Sequence, residues 1–254
     1  MRNRAGDNDP GCDSTSNGIA AATHVRLPDI LSTTTIDTKS IQQGMRPDKQ
    51  ESGDDEMLGC GKAVMRRIHQ HAYASHFFVG DGIDIGSGRD PLGQYKNQFP
   101  SMRSCREWDL ADGDAQLLTG INDNSYEFLH SSHCLEHMHD PVEALHNWFR
   151  VIKPFGHMVV LIPDEDLYEQ RVWPSRYNED HKCSFTIDKR RSWSPVSRNL
   201  LDLLKTLPET ARVVKIELLD GGFLSALSHV DQTTAAYISE SAIEFVVRKV
   251  NSPD

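Results

Sequence analysis

The chain has 254 residues, a formal net charge of −10 at pH 7, 38% hydrophobic residues and 25% charged residues. That is enough apolar material for one buried core, yet no apolar run approaches the roughly 20 residues that span a bilayer. The negative balance argues against the dense basic surface that extended nucleic-acid contact needs. The start Met1 to Asp7 is polar and lacks the apolar centre of a signal peptide, so a soluble, cytoplasmic protein is expected. Cys12, Cys60, Cys105, Cys134 and Cys183 are odd in number and widely spaced without a Cys-x-x-Cys pair, which points to free thiols rather than a disulfide framework or a zinc knuckle.

Residues 1–53 are rich in Asp, Asn, Ser, Thr and Gly, and are expected to be a disordered polar leader before a folded domain over 54–254. From Glu56 to Tyr73 the apolar residues Met57, Val64, Met65, Ile68 and Ala72 fall near helical spacing, predicting an amphipathic helix that packs on a sheet. Gly82 to Ile85 then reads as a buried strand running into Gly86-Ser87-Gly88, a turn against whose backbone a cofactor can lie, with Asp84 at the strand end to organise it. Arg103 to Asp109 reads as a second strand ending in an acid, where a ribose-binding carboxylate belongs; Glu107 shares its face and is the alternative. A turn with Asp114 and Ala115 follows, and then a strand from Tyr126 that leaves into the polar segment Ser132 to His137.

The next helix is the best punctuated. Asp140 is a good N-cap, Pro141 suits the first turn, and Val142, Leu145, Trp148, Phe149 and Ile152 form an apolar stripe, so a helix over Pro141 to Ile152 is predicted. Lys153 to Gly156 stops it, and His157 to Ile162 is an apolar strand. The stretch 164–198, dense in aromatic and polar groups, is the expected acceptor-binding insertion, because specificity in doubly wound folds lives on loops at the carboxyl ends of strands. Lys189-Arg190-Arg191 within it reads as a solvated surface run. Leu200 to Leu207 is a short helix, and Val213 to Leu219 with Ile243 to Lys249 form an antiparallel hairpin within 211–250, turning at Gly221-Gly222, while Asp231-Gln232 caps local backbone.

Four segments occur in order: Asp84-Ile-Gly-Ser-Gly88, Asp112-Gly-Asp-Ala115, Ser132-His-Cys-Leu-Glu-His137 with Asp140-Pro141, and Arg150-Val-Ile-Lys-Pro-Phe-Gly156. Together they resemble the class I S-adenosylmethionine-dependent methyltransferases, most closely the type 11 small-molecule family, over a core of about 79–170. The resemblance implies an α/β, Rossmann-like fold, with a mostly parallel sheet and a terminal antiparallel hairpin. Asp90 stands where a third glycine is usual and Phe155 where glycine is common. The interval from Asp109 to Asp114 is too short for the usual helix and third strand, so a sheet trimmed between the second and fourth strands is expected.

By the same resemblance, Asp84, Gly86, Ser87, Gly88 and Ser132 belong to the S-adenosylmethionine site, Asp109 takes the ribose hydroxyls, and Asp114 with Ala115 flanks the adenine. The expected reaction is methylation of a small-molecule acceptor, with O-methylation of a sugar or natural-product hydroxyl ahead of N- or C-methylation. His181, in an Asn-x-Asp-His segment, and His133, just past a strand end, are the candidate bases. Tyr168, Arg176, Tyr177 and Asn178 are the candidate acceptor contacts. Two readings stay open for each histidine: proton transfer, or pinning of its loop. His133 or Glu136 is read as a base or as a group that helps bind a cation, the other reading of Glu136 and His137 being a structural loop motif. His133 and His137 are spaced i, i+4 without the full His-Glu-x-x-His pattern, and related quinone-precursor O-methyltransferases with a cation near this loop keep a divalent cation open. The alternatives are a catalytically silent methyltransferase-like scaffold and a nucleotide-dependent oxidoreductase.

Overall fold

The structure is a computed structural model that describes residues 59–234 and 238–252; the expected polar leader lies outside them. A six-stranded sheet runs β2-β1-β3-β4-β8-β7. Its strands are β1 (Gly80–Ile85), β2 (Met102–Trp108), β3 (Tyr126–Ser132), β4 (Ile152–Pro163), β7 (Ala211–Leu219) and β8 (Ala242–Lys249). β1 pairs in parallel with β2 and β3, and β3 with β4, whereas β8 lies antiparallel to both β4 and β7. This is the α/β, mostly parallel sheet with an antiparallel end that the sequence implies. The expected trimming is present too: residues 109–125, between β2 and β3, contain neither helix nor strand.

Alternation along the strands divides the core into two faces. Ile83, Ile85, Leu129, Met158, Val160, Ile243, Phe245 and Val247 pack on one side, beneath α2 (Pro141–Arg150) and α3 (Leu200–Lys205). Phe128, Val159 and Val246 face the other way, under α1 (Gly59–Arg67) and the π-helical turn Tyr73–Phe77. The predicted first helix is therefore shorter than its spacing suggests, breaking after Arg67. α2 starts as expected: Asp140 Oδ1 accepts from Val142 N at 2.9 Å and Glu143 N at 3.2 Å, and Pro141 occupies the first turn. It ends at Arg150 rather than Ile152, because Ile152 is drawn into β4 opposite Tyr126.

α2 also explains how a segment without regular structure keeps its shape. Trp148 Nε1 donates to Ala115 O at 2.8 Å, and the Arg150 guanidinium donates to the carbonyls of Leu117, Leu118 and Ile121. Leu118 and Ile121 are buried plugs in the core. Fixed carbonyls and two apolar anchors thus replace the missing strand.

The insertion forms a small parallel sheet of β5 (Ser184–Thr186) and β6 (Ser197–Asn199). Its hub is the buried Glu165, which accepts from Lys189 Nζ at 2.7 Å and from Ser192 Oγ at 2.8 Å. Lys189 also reaches Asp166, so the first residue of the basic run is a structural brace rather than a solvated charge. The connection from β7 to β8 is long, as the spacing of the two strands implies, and its residues Thr233 and Thr234 return to the inner cavity beside β1 and β3.

Candidate active site

Gly86 follows β1 with φ +72°, and Gly88 has φ +55°. A Cβ at Gly86 would lie 2.7 Å from both Cβ and Sγ of Cys134, so only glycine fits between the turn and the next loop. Gly86 N and Ser87 N both point at Trp108 O, tying the turn to the end of β2. Asp84 organises this turn from beneath: Oδ2 accepts from Leu92 N at 2.7 Å and Oδ1 meets His130 Nδ1 at 2.6 Å. Both its oxygens are engaged within the protein, so it braces the glycine turn while also lining the inner cavity.

Asp90, the residue in place of a third glycine, has its own task. Its carboxylate accepts from Gly61 N at 2.8 Å and from Tyr95 Oη at 2.6 Å, fastening the first turn of α1 over the glycine turn. Gly59 and Cys60 of α1 consequently wall the site, while Cys60 and Val64 also pack in the core.

Two cavities open here. An outer one of about 430 Å³ is bounded by Asp109, Leu110, Gly113 and Ala115 on one side and by Met138 and Lys182 on the other. An inner one of about 260 Å³ is bounded by Ser87, Ser132, Tyr168, Asn178, Thr233 and Thr234, among others. Gly86, His133 and His137 line both, so the cavities meet at the glycine turn.

The outer cavity gathers the residues expected at the nucleoside half of a cofactor site. Asp109, at the end of β2, uses Oδ1 on Leu110 N at 2.8 Å, which leaves the second oxygen for a ribose diol. Ala115 presents a small wall at a height fixed by Trp148. Of the other expected cofactor residues, Gly86, Ser87 and Ser132 line the cleft. Gly88 shapes the turn without lining either cavity, and Asp114 is exposed outside both, its Oδ1 accepting from Gln116 N at 2.7 Å. Asp114 thus caps the turn whose next residue forms the wall. Glu107 is exposed and outside both cavities, which favours Asp109 of the two.

The expected acceptor residues separate in the same way. Tyr168 and Asn178 line the inner cavity, but Arg176 and Tyr177 do not. Tyr177 packs edge-on against Tyr168 at 5.9 Å and donates to Gln170 Oε1 at 2.9 Å, while the exposed Arg176 lies over the Tyr177 ring. Those two support the wall rather than form it.

The histidines gather around one carboxylate. Glu136 is wholly buried, with no hydrogen-bond donor on either oxygen. Around it stand His133 Nδ1, 3.5 Å from Oε1, and His181 Nε2, 3.9 Å from the same oxygen. Burial opposes the charge of Glu136, and the neighbouring His133, His181 and His137 outweigh it, holding the carboxyl below its ordinary range. His181 reaches this point because Lys182 N and Cys183 N both donate to Glu136 O. Its Nδ1 is 2.7 Å from Glu169 Oε1 and its ring lies 5.0 Å from that of His137, centroid to centroid. His133 has φ +52° and a side chain 25% exposed at the junction of the cavities, whereas that of His181 is only 2% exposed. The nearby Cys134 and Cys183 are buried thiols pushed up to about 12 by that burial, and are inert at neutral pH.

Several participants were missing from the sequence reading: Glu169, Thr233, Thr234 and Leu110. Thr233 and Thr234 reach the cleft through the long return before β8, which no spacing encodes; Leu110 follows Asp109 directly, and Glu169 acts from behind His181 without lining either cavity.

The methyltransferase-domain family profile matches residues 58–194, more than half of the chain, and the chain belongs to that family, the S-adenosylmethionine-dependent methyltransferases. No curated protein sequence matches it. Among solved structures, it is similar to an S-adenosylmethionine-dependent methyltransferase from Archaeoglobus fulgidus, with 16% identity, a TM-score of 0.49, and coverage of 74% of this chain and 93% of that one. A similar protein from Thermotoga maritima has 18% identity, a TM-score of 0.45, and coverage of 74% and 88%. The YcgJ protein of Bacillus subtilis has 12% identity, a TM-score of 0.44, and coverage of 75% and 99%.

Proposed function

We propose that this methyltransferase methylates a hydroxyl oxygen of a small molecule, a sugar or a natural product, seated in the inner cavity. One observation carries the reading: a cavity suited to a nucleoside and a second, hydroxyl- and amide-lined cavity meet at Gly86 and His133. S-adenosylmethionine supplies an activated methyl group on a sulfonium, so the protein has to orient the acceptor, exclude water and accept a proton. Asp109 holds the ribose, Ala115 flanks the adenine, and Gly86 with Ser87 lets the chain approach the methionine portion.

Ser132, Asn178, Thr233 and Thr234 offer the hydrogen bonds that a polyhydroxylated acceptor demands, and Tyr168 gives it an aromatic floor. As the acceptor oxygen bonds to the methyl carbon, the carbon–sulfur bond breaks, its electrons stay on sulfur, and the hydroxyl proton passes to His133. His133 suits this task better than His181, whose Nδ1 is taken by Glu169 and whose Nε2 faces the buried Glu136.

The test is calorimetric titration with S-adenosylhomocysteine and, separately, NADH, followed by transfer of labelled methyl to sugar and phenolic acceptors. Micromolar binding of the adenosyl ligand alone, with label appearing on hydroxyl oxygen, supports the reading. A folded sample that binds neither ligand would point to a silent scaffold, and label on nitrogen or carbon would refute the O-methylation. His133→Ala is expected to lower kcat by about 10²-fold or more while S-adenosylhomocysteine affinity stays unchanged.

A further inference from the structure

Glu136 poses a problem that methyl transfer leaves unsolved. A fully buried carboxylate is costly when its nearest imidazole nitrogens stand 3.5 and 3.9 Å from one oxygen, beyond a well-formed hydrogen bond, and its other oxygen has no donor among the described residues. We propose that Glu136, His137 and His181 form a binding site for a divalent first-row transition cation, best matched by zinc, with its open coordination position toward the inner cavity.

Geometry carries the assignment. One donor atom from each of the three residues lies within 4.8 Å of the others. Donors on a tetrahedral zinc are about 3.5 Å apart, so modest rotamer shifts close the set. Both imidazoles already have one nitrogen fixed by an oxygen. His181 Nδ1 is held by Glu169 Oε1 at 2.7 Å, and His137 Nδ1 lies 3.3 Å from Asp180 O. Each Nε2 is thereby left as the ligand atom, and Glu169, itself 1% exposed, takes the place of the carboxylate that orients a metal-bound histidine from behind. The pair Glu169 and His181 is therefore more than a loop pin.

Ligand chemistry selects the ion. Two imidazoles and one carboxylate suit zinc, cobalt or iron, whereas magnesium and calcium prefer all-oxygen surroundings. The three ligands line the inner cavity, so a fourth position is open to an acceptor oxygen there. The site's use in catalysis rests on the methyl-transfer reading: a bound cation would lower the pKa of the acceptor hydroxyl beside His133. Its existence does not rest on that reading.

The full chain, stripped with a chelator and confirmed folded by circular dichroism, is titrated with ZnCl2 by calorimetry and then loaded with Co2+ for its visible ligand-field bands. Uptake of one equivalent is expected, weakened about 100-fold or more in Glu136→Gln and in His137→Ala, and about 10- to 100-fold in Glu169→Gln. His71→Ala, which alters a surface histidine beside His76, is expected to leave the binding as it is. No uptake by the folded chain overturns the site, as does uptake that persists undiminished in both Glu136→Gln and His137→Ala. S-adenosylhomocysteine is titrated into the same samples. Zinc binding without adenosyl binding would refute the methyl-transfer reading and keep the metal site, and the reverse would do the opposite.

Discussion

Gly86 has the least room of the glycines that line the cleft, because its positive φ and the contact with Cys134 act together. Gly86→Ala would have to displace either the turn or the following loop, and S-adenosylhomocysteine affinity is expected to fall by about 10-fold or more, read by calorimetry, with folding retained. Asp109→Asn is the complementary change. It keeps the shape and the bond to Leu110 N but removes the charge that favours a diol, so affinity for the adenosyl ligand should drop by about 10-fold while adenine alone binds as before. The glycine turn and Asp109 were legible in the sequence because each follows a strand directly. Asp114, expected beside the adenine, lies outside the cavity, because a carboxylate one residue from the wall looks the same in sequence as one pointing into it. The partnership of His181 with Glu169 was invisible for another reason: nothing in a loop sequence says that its two ends return to one point.

At the scale of elements, one buried polar row crosses a face of the sheet. Asp84 on β1 bonds His130 on β3, His130 Nε2 accepts from Arg67 Nη1 at 2.9 Å, and Arg67 pairs with Glu244 on β8 at 2.7 Å. Glu244 also pairs with Arg66 and Lys215 and accepts from the Tyr73 hydroxyl, and Arg66 pairs in turn with Glu240. Through these pairs α1 is fixed to the middle of the sheet. A parity argument could have found the row: Asp84, His130 and Glu244 are ionisable residues in otherwise apolar strands, each on the face shared by Phe128 and Val246. Nothing in the sequence alone says that α1 supplies their partners, since an Arg-Arg pair in a helix ordinarily points to water.

Removing one member of this row leaves a buried charge without its partner. Glu244→Gln is expected to destabilise the fold by about 3–5 kcal/mol in urea unfolding at neutral pH. Burial alone would raise the Glu244 carboxyl, but Arg67, Arg66 and Lys215 outweigh it and hold the group well below its ordinary 4.5. A carboxyl depressed in the folded state adds stability that is complete above its unfolded value and is lost as pH falls below it. The urea midpoint should therefore fall between about pH 5 and pH 3 in the natural chain, and less steeply in Glu244→Gln.

Over the whole molecule, the order of strands was legible because glycine turns, caps and apolar runs follow each other as in related chains. The length of the return from β7 to β8 was legible too, but its path to the inner cavity was not, since Gly221-Gly222 signals a turn wherever the chain goes afterwards. Gln232 holds that return together: its side chain bonds both N and O of Leu224, and its carbonyl accepts from Ile238 N and Ser239 N. Gln232→Ala is expected to expose residues 220–241 to limited proteolysis while leaving adenosyl affinity unchanged, because Thr233 and Thr234 wall only the inner cavity.

The missing strand beyond β2 has a kinetic consequence. Among the described residues no further strand or helix lies outside it, and the outer cavity is rimmed by a loop whose Leu110 is 94% exposed. A spent cofactor held there as proposed would leave past that exposed loop. Release of S-adenosylhomocysteine should then follow a single fast phase that is insensitive to acceptor, and the slow step of turnover should lie in the chemistry or at the crowded inner cavity.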